Sequence, residues 1–177
     1  MESGRRIITI DGPAGAGKST VARALANRLG WTYLDTGAMY RAVGLAAFED
    51  GADVSDEKAM TRLMAGLDLK VAASPETTRV YLAGREVTSE IRQPHISGLA
   101  SAASALGVVR RAMVDLQRRL GAAGEIVAEG RDMGTVVFPR AEIKFFIDAS
   151  LEERARRRFE ELQASDKALS LVQVTRD

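Results

Sequence analysis

Eight residues near the N-terminus constrain this chain more than any others: Gly12-Pro-Ala-Gly-Ala-Gly17-Lys18-Ser19. They match G-x-x-x-x-G-K-[ST], a loop whose glycines let the backbone bend until several N–H groups face one centre. The flanks supply the context this pattern requires. Arg5–Asp11 (RRIITID) is short and rich in β-branched residues, as a buried parallel strand would be. Lys18–Leu29 then follows a helical pattern, with Val21, Leu25 and Leu29 predicted to form one apolar stripe and Gly30 to cap the C-terminus. Strand, glycine loop and helix N-terminus in that order make a phosphate cradle, because the loop amides and the positive end of the helix converge. Lys18 would add a charge beside the β- and γ-phosphates of a nucleotide, and Ser19 a hydroxyl for Mg²⁺.

Such a loop implies a parallel sheet with helical crossovers, and the rest of the chain is consistent with one. Trp31–Asp35, Glu125–Ala128 and Glu142–Ile147 read as further short strands. A helix runs through Tyr40–Phe48, and helical pattern covers Ile96–Leu120 with a break at Gly107. Ser150-Leu-Glu-Glu153 is a capping box for a last helix. Between the second and third of these strands the texture changes. Residues 55–67 read as a short helix, and Leu69–Ala73 and Arg79–Leu82 as strands joined by the turn Ser74-Pro75-Glu76-Thr77. Gly84–Thr88 adds a third strand. The expected fold is therefore α/β: a P-loop NTPase-type parallel sheet flanked by helices, with a small antiparallel β insertion. Residues 1–50 and 92–177 would form the core and 51–91 the insertion.

Two more loops fall at strand C-terminal ends, where parallel sheets bind ligands. In Asp35-Thr36-Gly37-Ala38-Met39-Tyr40-Arg41, Thr36 can cap a helix and Arg41 could grip a phosphate; a capped helix with a surface arginine fits this segment equally well. Glu129-Gly130-Arg131-Asp132-Met133-Gly134 is either a turn with a local ion pair or part of a ligand site, and three such loops on one sheet edge favour the site.

Composition narrows the chemistry. There is no cysteine among the 177 residues, which removes disulfides and thiolate metal centres, and a single histidine, His95, read as a solvated loop residue, gives no support to imidazole-based metal sites. The 25 basic and 24 acidic residues leave a net charge of +1, and aromatics are only 5%, so no broad surface for nucleic acid or anionic lipid is expected. No apolar run of about 20 residues is present to cross a membrane, and MESGRR leads straight into a strand, as in a cytoplasmic protein.

The segments ITIDGPAGAGKST, LDTGAMYRA, TSEIRQPHI, VVR and EGRDMGTVVFP occur together, in an order and spacing that resemble those of the bacterial-type cytidylate kinases, a P-loop nucleoside monophosphate kinase family. The resemblance spans about Ile7 to Asp177 and is most specific in EGRDMGTVVFP. It implies phosphoryl transfer from ATP to CMP or dCMP, with Mg²⁺, by a cytoplasmic monomer. By that resemblance Gly12, Pro13, Ala14, Gly15, Ala16, Gly17, Lys18, Ser19 and Thr20 would hold ATP, with Ser19 on Mg²⁺. Thr36, Arg41 and Arg131 would hold the CMP phosphate. Ser101, Arg110 and Asp132 would read cytosine, with Arg92 lining the same pocket. Lys18, Arg131 and Asp132 are the expected catalytic group. Ser101 also suits a close-packed helix face, since it lies in the small-residue run LASAASAL.

The reaction needs in-line positioning and charge neutralisation rather than a covalent intermediate, and a phosphate acceptor needs no general base. The helix after Ser150 carries Glu152-Glu-Arg154-Ala-Arg156-Arg157-Arg158, either a solvated face of ion pairs or a lid edge over the phosphates. The lid is expected over about 154–177. Two features depart from the family pattern. Thr36 stands where serine is expected, and the chain ends at Asp177 where family members continue for several dozen residues, so a further strand and helix are expected to be missing and an edge strand unpaired. Other readings are a uridylate, adenylate or shikimate kinase, and a nucleotide-binding module without turnover.

Overall fold

The computed structural model describes residues 6–163. Four parallel strands form the central sheet: β1 (Ile7–Asp11), β2 (Thr32–Asp35), β6 (Ile126–Gly130) and β7 (Ile143–Phe146), in the spatial order β2-β6-β1-β7. All five residues of β1 are buried, as a β-branched strand covered on both faces must be. Ile10, Leu34, Ile126 and Val127 are almost wholly enclosed, each contributing about 1.5–3 kcal/mol of apolar burial.

Helix α1 (Lys18–Leu29) lies on one face of the sheet, and its Gly30 cap forms as expected: the Gly30 N–H reaches the carbonyls of Ala26 and Asn27. The buried side of α1 is not the predicted one. Val21 and Leu29 are 46% and 41% exposed, whereas Lys18, Ala22 and Ala26 face inward. The helix packs close against Ile8, Ile10 and Val127, and the gap admits a methyl group rather than an isobutyl group. Helix α2 (Thr36–Asp50) is capped by Asp35, whose carboxylate accepts from the Ala38 N–H at 2.9 Å, and not by Thr36, which is its first helical residue.

After α2 come α3 (Glu57–Gly66) and a three-stranded antiparallel sheet of β3 (Leu69–Ala73), β4 (Thr78–Leu82) and β5 (Arg85–Glu86), the last shorter than the expected Gly84–Thr88. Its hairpin covers the outer edge of β2. The Tyr33 N–H donates to the Ser74 carbonyl at 3.0 Å. The Thr78 hydroxyl donates to the Tyr33 carbonyl at 2.7 Å and accepts from the Asp35 N–H at 3.0 Å.

After a 3-10 turn at Glu90–Arg92 come α4 (Pro94–Ser104) and α5 (Gly107–Leu120). The helical break therefore falls at Ala105–Leu106, and Gly107 opens the second helix. His95 belongs to α4 rather than to a loop; it is exposed and stacks on Phe48 with ring centroids 5.0 Å apart. The small-residue run does pack closely, since a Cβ on Gly44 of α2 would stand 2.9 Å from the Ala100 nitrogen. A π turn at Met133–Val137 leads to β7, and α6 (Leu151–Gln163) follows with its Glu153 N–H bonded to Ser150 Oγ at 3.2 Å, the predicted cap. Among the described residues the sheet ends at β7, where Phe146 is 72% exposed.

Candidate active site

Three strands carry an acidic residue at or next to their C-terminal end: Asp11 on β1, Asp35 on β2 and Glu129 on β6, all buried. Each carboxylate is already engaged. Asp11 accepts from the Met133 and Gly134 amides, both at 2.8 Å, and thereby ties the EGRDMG loop to the end of β1. Asp35 caps α2. Glu129, 3% exposed, accepts from Ser19 Oγ at 2.9 Å and from the Tyr33 hydroxyl. Burial raises the Glu129 pKa above the usual carboxylate value, and Asp35, its partner across the β2–β6 ladder, raises it further.

Three cations meet the same rim. Lys18 Nζ donates to the Pro13 carbonyl at 2.8 Å, and Arg131 Nη1 donates to the Gly12 carbonyl. Burial lowers the Arg131 pKa and nearby Arg41 lowers it further, while Nη1 of Arg41 is buried with no hydrogen-bond partner among the described residues. Lys18 is pulled down to about 8, mainly by burial and then by Arg131, against the opposing pull of Glu129, Asp35 and Asp11. None of these cations forms a salt bridge with a carboxylate among the described residues. The cluster thus holds positive charge whose hydrogen-bonding capacity is spent on carbonyls or on nothing, as an anion site requires.

Gly12 shapes the loop. Its φ is 146°, and a Cβ there would overlap the Ile147 carbonyl oxygen, so the loop can pass this close to the β7–α6 connection only with glycine. On the far side α6 closes on the same loop: Arg157 Nη1 donates to the Gly15 carbonyl at 3.1 Å while its Nε donates to Glu153. A cleft of about 570 Å³ lies between Gly15–Val21 and the Arg157 and Glu160 side chains. A hollow of similar size between α2, α3 and β4 has Arg62 against Glu49, Asp50 and Asp68, which does not suit an anion.

The remaining expected residues divide. Asp132 and Arg110 form an ion pair, with the partly buried Tyr40 beside both. The Thr36 hydroxyl donates to the Glu129 carbonyl at 2.6 Å, on the same rim. Arg92 reaches Asp35 only at 3.8 Å and is largely exposed. Ser101 is exposed on α4. On α6, Arg154 donates from Nε to the Ala149 carbonyl, while the Arg158 side chain and the lid beyond Gln163 lie outside the described residues. Asp11, Tyr33, Asp35 and Glu129 were missed as site residues. A signal existed for the three acids: each closes an apolar run just before a glycine-containing turn. Tyr33 had none, since an aromatic within a strand reads as core.

Ser19 Oγ and Glu129 Oε2 are hard oxygen donors, and no group of three or more His, Cys, Asp or Glu able to hold a metal exists among the described residues. This sparse donor set fits Mg²⁺, which keeps most of its waters and takes one or two protein oxygens together with phosphates.

Comparison with known proteins agrees with this geometry. A family model described as cytidylate kinase matches residues 8–177. The chain is 51% identical to the cytidylate kinase of Carboxydothermus hydrogenoformans over 170 residues, covering 96% of this chain and 77% of that protein. It is 53% identical to that of Pelotomaculum thermopropionicum over 158 residues, 89% of this chain and 70% of the relative. With the cytidylate kinase of a Geobacter species it shares 48% over 168 residues, 95% and 72% of the two chains. This degree of likeness over most of both chains leads to one conclusion: the chain belongs to the cytidylate kinase family, whose members are nucleoside monophosphate kinases.

Proposed function

We propose that this protein transfers the γ-phosphoryl group of ATP to the phosphate of CMP or dCMP, giving ADP and CDP or dCDP. The observation that carries the reading is the meeting of Lys18, Arg41 and Arg131 on one rim, with a buried Arg41 nitrogen that no group among the described residues satisfies. Two anions brought together need this concentration of positive charge.

ATP phosphates lie in the loop Gly12–Thr20, where Lys18 exchanges its bond to Pro13 for the β- and γ-phosphates. Ser19 and Glu129 hold Mg²⁺, which supplies further charge neutralisation when bound. Arg41, Arg131 and Thr36 grip the acceptor phosphate; Thr36 turns its proton from the Glu129 carbonyl to do so. Arg110 and Asp132 satisfy each other until a base arrives. The carboxylate then accepts from the cytosine amine, and the guanidinium donates to ring acceptors. Uracil would offer Asp132 a carbonyl, leaving two acceptors facing each other. Arg92, which reaches toward Asp35, and Ser101 on α4 line the same pocket, as the family resemblance implies. Arg154 and Arg157 cover the transferring group from α6. A monomer acting in the cytoplasm suits a chain without cysteine in which no described helix is long and apolar enough to cross a membrane.

The test is direct. Purified protein with Mg²⁺ and ATP is offered CMP, dCMP, UMP, AMP or shikimate, and ADP release is measured. CMP and dCMP should be preferred. Preference for AMP or shikimate would replace the acceptor assignment, and binding without ADP release would replace turnover with a binding module.

A further inference from the structure

Glu129 is held by a group that the phosphoryl-transfer chemistry does not itself use. Tyr33 and Glu129 sit on neighbouring strands: Tyr33 pairs with Val127, and Asp35 with Glu129. Side chains two residues apart share a sheet face, so Tyr33 reaches one pair along the ladder to Glu129 on the side covered by α1. Its ring packs among Ile8, Ile10, Ala22, Ala26 and Val127, and its hydroxyl donates to Glu129 Oε1. The other carboxylate oxygen, Oε2, accepts from Ser19 Oγ at 2.9 Å. The Tyr33 backbone is fixed as well, by Ser74 on its N–H and Thr78 on its carbonyl.

We infer that Tyr33 is a positioning residue for the metal site: its hydroxyl engages one oxygen of Glu129 so that the other stays aimed at Ser19 and the cleft. This rests on the assignment of Mg²⁺ to Ser19 and Glu129. A carboxylate with one oxygen bonded from behind cannot turn about its terminal torsion without breaking that bond, so its free edge is presented in a single orientation. Packing fixes the ring, and the hairpin fixes the strand that carries it. The device therefore runs from the insertion through β2 to the phosphate loop.

The test compares the full chain with Tyr33→Phe, which keeps the ring and removes only the hydroxyl. Calorimetry measures ATP affinity with Mg²⁺ and with the metal chelated, and the ratio of the two is the metal-dependent gain. In Tyr33→Phe this gain should fall about tenfold, as for other groups that orient a metal ligand from behind. Affinity for metal-free ATP and for CMP should stay unchanged, and the Mg²⁺ concentration giving half-maximal activity should rise by a similar factor. Glu129→Gln should lose the gain at least as fully. Adding Tyr33→Phe to Glu129→Gln should change it no further, because the hydroxyl acts only through that carboxylate. A Tyr33→Phe protein that is merely less heat-stable, with the gain intact, overturns the inference and leaves the Mg²⁺ assignment standing. A Glu129→Gln protein with the gain intact overturns that assignment and the inference with it.

Discussion

Arg41→Met should make the ligand-free protein more stable while disabling it, an uncommon sign for a change at a partly buried position. Nη1 of Arg41 is buried without a partner among the described residues, and the side chain repels Arg131. A buried donor left unpaired costs about 1–3 kcal/mol. Methionine keeps much of the stem, which packs in the rim, and removes the donors. At about 2–4 °C per kcal/mol for a chain of this length, Tm without ligand should rise by roughly 2–12 °C. Binding moves the other way. Hydrogen bonds to a charged group contribute about 1.5–3 kcal/mol, so CMP should bind about 10- to 150-fold more weakly. At a CMP concentration of about 100 times the parent Kd, the parent gains about 2.7 kcal/mol of stability; a variant whose Kd is about 100-fold higher gains only about 0.4 kcal/mol. Thermal unfolding of both proteins with and without CMP reads both effects in one experiment. If Arg41→Met is the less stable protein without ligand, the arginine serves the fold. If CMP stabilises both equally, it does not hold the acceptor phosphate. Either result refutes the reasoning.

Three further outcomes are expected. Because burial and Arg131 pull Lys18 down to about 8, its charge is present below that pH and lost above it. In a pH–rate profile, kcat/KM for ATP should therefore fall about tenfold per pH unit on the alkaline side, and a profile flat to about pH 9.5 would count against a catalytic Lys18. Asp132→Ala should erode the preference for CMP over UMP by about 10-fold or more while leaving ATP affinity intact, as competing-substrate assays would register; unchanged discrimination would remove Asp132 from base recognition. On α1, Ala26→Leu should cost about 1–3 kcal/mol in urea unfolding, whereas Val21→Lys should shift stability by less than about 0.5 kcal/mol; the reverse order would return α1 to the predicted stripe.

The parts of this protein legible from its sequence are those that residues close in the chain determine. The cradle needs only a strand, eight loop residues and a helix start, so the loop and Lys18 can be read from the pattern alone. The same holds for the Gly30 cap, the Ser150 cap and the β3–β4 hairpin, each set by a few neighbouring residues. The motifs also identified Lys18, Arg41, Arg131 and Asp132 as residues of interest; the structure brings the first three to one rim and pairs Asp132 with Arg110.

Tertiary structure decided what depends on partners distant in the chain. Whether α1 buries Val21 and Leu29 or Ala22 and Ala26 depends on how near the sheet lies, and periodicity supports either face. Asp35 rather than Thr36 caps α2, because the end of β2 is fixed by Thr78 and Thr36 is drawn to Glu129. Above all, the order β2-β6-β1 brings Tyr33 and Ser19 to a carboxylate about a hundred positions further along. A single strand carries no record of which strand will pair beside it. Only closure of the whole sheet, with its helices packed and its buried polar groups satisfied, sets that neighbour and gives Glu129 its partners.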